Sequence, residues 1–499
     1  MARESNSLPW YILGGNTEEN NDLNWWLKLK KAQKCLNLWK RRHLTLMGKI
    51  TILKTLTIPR LLFPLNFLDP PESFIKQCEA TIYNCIWNNK DMVKRTTLIA
   101  PIEEGGLNMF DLESHVMACR AMWVSRILTG TGDWAIFGKQ YINQFGPNNL
   151  ILRCNFSEKK TFPLIQRIPK FYQNIIICFN TVKEATPIKD KETLLNQILW
   201  GNKHFTYYSK QSKSMETIFF KNWIDSGIIT LNSLRIVKGH LDADFIYQKV
   251  KNKQNIYCEI LCIQTVLKPY MYILKNMNNT PSVLDNFYQV DDIKLTQTLS
   301  LKTKSFYEII KRKRITPPYQ EQKWRQITGA SDLKFNNIYN LKIKNIPENK
   351  LCEFNFKMLH LILLCCLNLK CWGHRNFDTS QICDVTHDIP HLLFHCVKAK
   401  KAWEKFCQAC NQRITLKHIF TPSRDNNMCF VVSLFSYLIF KEWVKYNEHN
   451  TWMNNNILLF IKWNLKYKCD IHHELGGQWE KICPILQNII FCIDNVVDV

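Results

Sequence analysis

Glycine and proline are scarce in this chain, 16 and 18 of 499 residues. A sandwich or barrel needs many tight turns, so the shortage argues for a mainly α fold. Acid is short as well: 42 Asp and Glu stand against 66 Lys and Arg, a net charge of +24. That balance calls for anionic partners, nucleic acid before membrane. Twenty cysteines over this length fall far below a disulfide scaffold. Cys365 and Cys366 sit inside LHLILLCCLNL, where thiols act as small buried hydrophobes. MARESNSLPWYILGG lacks the apolar core of a signal peptide. The strongest apolar stretch, residues 428–440, is too short to span a bilayer and reads as a core helix. No membrane partner is expected, and a reducing compartment, nucleus or cytoplasm, follows. Glycine-rich phosphate loops, G-x-S-x-G elbows and H-E-x-x-H are all missing, so no self-contained active site is expected.

What is present is concentrated. Residues 23–60 carry ten cations (Lys28, Lys30, Lys31, Lys34, Lys40, Arg41, Arg42, Lys49, Lys54 and Arg60) and no Asp or Glu. Trp25, Leu29, Ala32, Leu36 and Trp39 recur at four, three, four and three residues, one narrow face of a helix. Lys30, Lys34 and Arg41 fall on the opposite side. After a break near His43, Leu46, Ile50 and Leu53 begin a second helix bearing Lys49 and Lys54. A solvated face usually mixes signs, because Glu–Lys pairs support an exposed helix. An acid-free face repels itself until a polyanion neutralises it. We therefore expect Lys30, Lys34, Lys40, Arg41, Arg42, Lys49 and Lys54 to meet the backbone of RNA or DNA.

Downstream, Asp69-Pro70-Pro71-Glu72 offers an N-cap carboxylate and prolines for a first turn. The helix it starts should bury Phe74, Cys78, Ile82 and Cys85. Gly105-Gly106 marks a tight turn, and Asp111 should cap a helix with Leu112, Val116, Cys119 and Trp123 inward. Trp223 to Gly227 reads as a helix closed by a glycine. Asp291-Asp292 has the composition of a metal-binding carboxylate pair, but no apolar strand flanks it, and residues 281–294 read as a linker. The cations from Lys311 to Arg314 suit a phosphate contact, a nuclear-import patch or a solvated helix end equally well. In the last ninety or so residues Trp443, Trp452, Trp463 and Trp479 alternate with lysines. That pattern suits stacking on single strands, although helical spacing favours a core.

The richest cluster is Cys383, His387, His391, His395 and Cys396. Cysteine and histidine at short spacing, on a turn leading into a helix, form tetrahedral zinc sites in small domains. His391 and Cys396 lie five apart, close enough to converge across one turn.

These runs carry a resemblance. WKRRHLTLMGKITILK followed by Ile58-Pro59, then IWNNK at 86–90 and PIEEGGLNM at 101–109, resembles LINE-type non-LTR retrotransposon reverse transcriptases just after the catalytic palm. Tyr11 to Gly14 resembles the end of that palm. LWGNKHF and FFKNWIDSGIITLNSL resemble the connecting region of the vertebrate-type elements. The segment around 372–403 resembles the reverse-transcriptase zinc-binding domain, whose pattern is C-x2-C, several residues, then H-x4-C. Cys383, His391 and Cys396 match it, whereas Thr386 stands where the second cysteine belongs. His387, or else His395, Cys371 or His374, would supply the fourth ligand.

The resemblance implies a palm-end remnant at 1–20, a thumb-like helical bundle at 21–130 that grips template–primer duplex, and a helical connector at 131–345. A small zinc-knuckle-like module at 346–412 and a helical tail at 413–499 would follow. It further implies a non-catalytic C-terminal fragment, without endonuclease or palm, that binds RNA or DNA, holds zinc and meets a palm in the full-length element. The competing expectation is a helical scaffold protein, a domesticated or decayed relic whose charge serves solubility alone.

Overall fold

The computed structural model describes residues 7–8, 11–12, 22–66, 68–88, 90–156, 163–183, 187–209, 213–275, 295–410, 413–420 and 426–449, with 462–467 and scattered positions beyond. The fold is mainly α, as its paucity of turn residues requires. Among the described residues, strands occur only as three antiparallel hairpins: β1 (Ser7–Leu8) with β2 (Tyr11–Ile12), β3 (Thr206–Ser209) with β4 (Ser214–Thr217), and β5 (Ile236–Val237) with β6 (His240–Leu241). The helices used below are α1 (Leu27–Lys40), α2 (Leu46–Ile52), α3 (Glu72–Trp87), α4 (Leu112–Thr129), α5 (Lys170–Val182) and α6 (Ala243–Lys249). They continue with α7 (Ile256–Leu267), α8 (Thr303–Arg314), α9 (Asn349–Leu359), α10 (Val397–Cys410) and α11 (Asn426–His449).

The described residues fall into two compact units. One takes those up to Leu62, Glu72–Phe110 and those from Arg314 onward; the other takes Phe63–Pro71 and Asp111–Lys313. The segment 21–130 is thus shared between them.

In the first unit, a wide π turn, Asp22–Trp26, leads into α1. Trp25 is buried against Phe74 of α3, ring centroids 5.0 Å apart, and Leu29, Ala32 and Leu36 extend the same apolar stripe. Trp39, at its end, is only half-buried. Thr45 caps α2 by accepting the Gly48 amide at 3.2 Å. On α3, Phe74, Cys78 and Ile82 are buried as expected, while Cys85 is half-buried.

The two glycines at 105–106 each exclude a side chain for a different reason. Gly105 has φ +81° and ends the short helical turn Ile102–Glu104. At Gly106 a Cβ would lie 2.0 Å from the carbonyl oxygen of Ala100. The apolar run of α11 is a core element, with Phe435 packed on Trp403 and Phe406 of α10. Among the described residues no helix is long and apolar enough to cross a membrane.

The second unit is built around α4, which lies along α5. Leu112 and Cys119 are buried and Val116 and Trp123 half-buried, but burial runs round the helix to Ala118, Ala121, Val124 and Ile127. Even Arg120 is only 1% exposed. Its Nε donates to Asp69 at 2.8 Å and its Nη atoms donate to the carbonyls of Leu65 and Leu68. Asp69, expected as an N-cap, is therefore the counter-ion of a buried arginine. Asp111 does occupy the N-cap position of α4, where its carboxylate accepts from the Ser114 hydroxyl. The helix Lys221–Asp225 closes two residues on at Gly227, φ +79°, as its spacing predicts. The expected linker at 281–294, with Asp291 and Asp292, lies outside the described residues.

Candidate nucleic-acid interface and metal centre

The apolar stripe of α1 faces inward, so its polar residues face out. Lys30, Lys31, Lys34 and Lys40 are exposed, and the turn after the helix exposes Arg41 and Arg42. Lys30, Lys34 and Arg41 run down one side, four and then seven residues apart. Among the described residues none of these six is paired with a carboxylate. The Arg42 guanidinium lies 4.5 Å from the Trp39 ring centroid, which holds it at the surface.

Lys49 and Lys54 are placed differently. Lys49 is half-buried, and its Nζ donates to the Ile86 carbonyl at 3.0 Å, closing the C-terminal end of α3. Burial first, then the neighbouring Lys357 and Lys40, lowers its pKa from the ordinary lysine value. Lys54 is half-buried and has its own interaction within the fold. The open cationic surface is thus α1 and the turn behind it.

Two residues on that surface escaped the charge pattern. Leu27 and Leu38 are 41% and 69% exposed, and with Lys31, Lys34 and Arg41 they recur at four, three, four and three residues. Their signal in the sequence is a second helical stripe, in which the charges mask the two leucines.

The cysteine–histidine cluster is assembled by a knuckle and a wide turn. Residues 378–387 fold back on themselves: Thr379 bridges Thr386, and the Ser380 amide donates to the Val385 carbonyl at 2.8 Å. Asp384, at φ +51°, reverses the chain beside Cys383. Asp388 accepts the His391 amide at 2.8 Å, starting the π turn His391–His395. The Cys396 amide closes that turn on the His391 carbonyl at 2.8 Å.

Cys383, His391 and Cys396 thereby converge, with one ligand atom from each within 4.8 Å of the others, and they could hold a metal ion. The two sulfurs are 3.8 Å apart. A tetrahedral ion with metal–sulfur bonds of about 2.3 Å has an S–S edge of about 3.8 Å, so the spacing fits. The Nε2 atom of His391 is buried and has no hydrogen-bond partner among the described residues. A buried histidine with an orphaned ring nitrogen, converging with two thiols, is a donor set seeking an acceptor. Burial raises the Cys396 thiol pKa and lowers that of His391.

His387 does not join the group. Its Nδ1 accepts the Cys366 amide at 3.2 Å, and its ring stacks on Trp443 at 4.9 Å. Cys371, His374 and His395 are exposed and also stand outside it. Thr386, in the second cysteine's place, serves the bridge to Thr379.

Of the remaining sequence candidates, the Lys311–Arg314 cluster is partly turned inward. Lys311 is buried, and Lys313 donates to the Thr181 carbonyl. Trp443 belongs to the core, Trp463 is exposed, and Trp452 and Trp479 lie outside the described residues. No family model and no curated protein matches the chain.

Proposed function

We propose that this chain binds the sugar–phosphate backbone of RNA or duplex DNA along α1 and the turn after it, without catalysing a reaction. The observation that carries the reading is the row of exposed cations along α1 and the turn after it, backed by buried tryptophan and, among the described residues, unpaired with carboxylates. The resemblance of residues 39–127 to the post-palm part of LINE-type reverse transcriptases supports it, since that part grips template–primer duplex. Backbone contacts position a duplex without reading its sequence, so specificity is weak. Lys30, Lys34, Lys40, Arg41 and Arg42 make the contacts, with Lys31 beside them.

We further propose that the metal held by Cys383, His391 and Cys396 is zinc. Zinc supplies a cross-link between the 378–387 knuckle and the turn before α10, and no reaction is assigned to it. The sulfur spacing and the orphaned His391 nitrogen support this.

The deciding experiment replaces Lys30, Lys34 and Arg41 together by Glu and measures retention of an RNA–DNA duplex on a filter. Retention should collapse with the fold unchanged by circular dichroism. Unchanged retention would favour the scaffold reading.

A further inference from the structure

The loop between α6 and α7 combines cations with paired aromatic rings. Residues 245–258, FIYQKVKNKQNIYC, contain three lysines, two tyrosines and no acid. Tyr247 near the end of α6 and Tyr257 at the start of α7 stack across the base of the loop, centroids 5.9 Å apart and planes 26° from parallel. Lys253 lies 4.2 Å from the Tyr247 centroid. Tyr257 is nonetheless 65% exposed, and Leu261, one turn on, is 61% exposed. An aromatic pair ordered at the surface, with a cation over it and apolar area beside it, is a platform without a cover.

The surrounding charges give the sign of the occupant. Lys251 and Lys253 are exposed, while Lys249 is spent on the Ser233 carbonyl at 3.2 Å. Of the nearby acids, Glu259 is turned away, accepting the Trp223 indole N–H at 2.6 Å, and Asp225 is paired with Lys221 at 2.8 Å. Asp244, one turn before Tyr247, is exposed. Gln248, Asn252, Gln254 and Asn255 expose amides that can both donate and accept. Planar rings for stacking, lysines for phosphate and amides for base edges together fit one class of ligand.

We propose that this loop is a second nucleic-acid site, separate from α1, that takes an unpaired strand by stacking a base on Tyr257 and pairing phosphates with Lys251 and Lys253. A duplex hides its base faces, so the site selects single strands.

The test uses the full chain with Lys30, Lys34 and Arg41 replaced by Glu, which removes the α1 surface. Fluorescence anisotropy follows a labelled oligothymidylate, an abasic strand of equal length, and polyglutamate as competitor. Tyr257→Ala should weaken oligothymidylate binding about tenfold, the fold-change of one stacked base. It should leave the abasic strand's weaker binding unchanged, and Tyr257→Phe should restore affinity. Lys251→Glu with Lys253→Glu should weaken both strands. Equal loss on both strands with Tyr257→Ala, no loss on either, or competition by polyglutamate as strong as by oligothymidylate would overturn the proposal. Because α1 is already disabled, failure here leaves the duplex reading standing, and failure of the duplex assay leaves this one standing.

Discussion

His360 is buried in the first unit with its Nε2 2.8 Å from the Gly105 carbonyl. A carbonyl only accepts, so Nε2 carries the ring proton. The Nδ1 atom is buried with no partner among the described residues, and protonating it would place a charge in the core. Burial accordingly lowers the pKa to about 4 from 6.5. The unfolded chain binds the extra proton between those values and the folded chain does not. The stabilisation is complete above the unfolded value and is lost as pH falls from 6.5 towards 4, by roughly 2–3 kcal/mol over two units. His360→Gln keeps a donor for Gly105 and does not titrate. Urea melts at pH 7 and 4.5 should show a loss smaller by that amount in the variant; equal losses would refute the assignment. Lys342 presents the complementary case. It is wholly buried, its amine donates to the Ser433 hydroxyl at 2.9 Å, and burial lowers its pKa. Ser433 also donates to Cys429, so it keeps a partner if the amine goes. Lys342→Met should therefore raise stability by about 1–3 kcal/mol at pH 7. A lowered lysine pKa makes wild-type stability climb with pH, so the advantage should shrink at pH 9. Denaturant midpoints at both pH values check it.

Between residues and molecule, the elements differ in how much of them the sequence discloses. The cysteine–histidine knuckle was legible because all its parts lie within fourteen positions, 383–396, where turn geometry alone decides what meets. That His387 stays out of the group was not legible: it looks equivalent to His391 in spacing, yet its ring is taken by the Cys366 amide and by Trp443, both remote in sequence. The start of α3 was legible from its prolines, but the role of Asp69 was not, because Arg120 lies 51 residues away. Lys49 is a similar case, read as a surface cation when its amine closes α3 at Ile86. Periodicity reports which face is buried; it does not report which polar group a distant element will need. The knuckle therefore makes the clearest prediction at this scale. Stripping metal from the purified protein with a chelator should lower the thermal midpoint by about 5 °C or more. Added zinc should restore it. Cys396→Ser should lack the response, while Cys371→Ser should keep it, since Cys371 is outside the group. A midpoint indifferent to chelator would remove the metal from the account.

For the molecule as a whole, the decisive quantity is how many phosphates its open surface can neutralise. The net charge of +24 raises encounter rates with any polyanion, but distributed charge does not set a binding stoichiometry. On the proposed reading, the surface on α1 does. Counting every cation that the sequence nominates gives seven contacts and, at about 0.9 per phosphate, a slope of log K against log salt near −6 on duplex DNA. Removing Lys49 and Lys54, which are half-buried and engaged within the fold, leaves five and a slope near −4.5. Lys49→Ala separates the counts. If the amine serves α3, the slope stays the same while stability falls by about 1 kcal/mol, the net worth of one hydrogen bond. If it serves phosphate, the slope becomes shallower by about one and stability holds. Titrations at four or five salt concentrations, with a thermal melt of each protein, resolve the two. The same slope bears on the scaffold reading, because a chain that makes no phosphate contacts releases no counterions and would show a slope near zero.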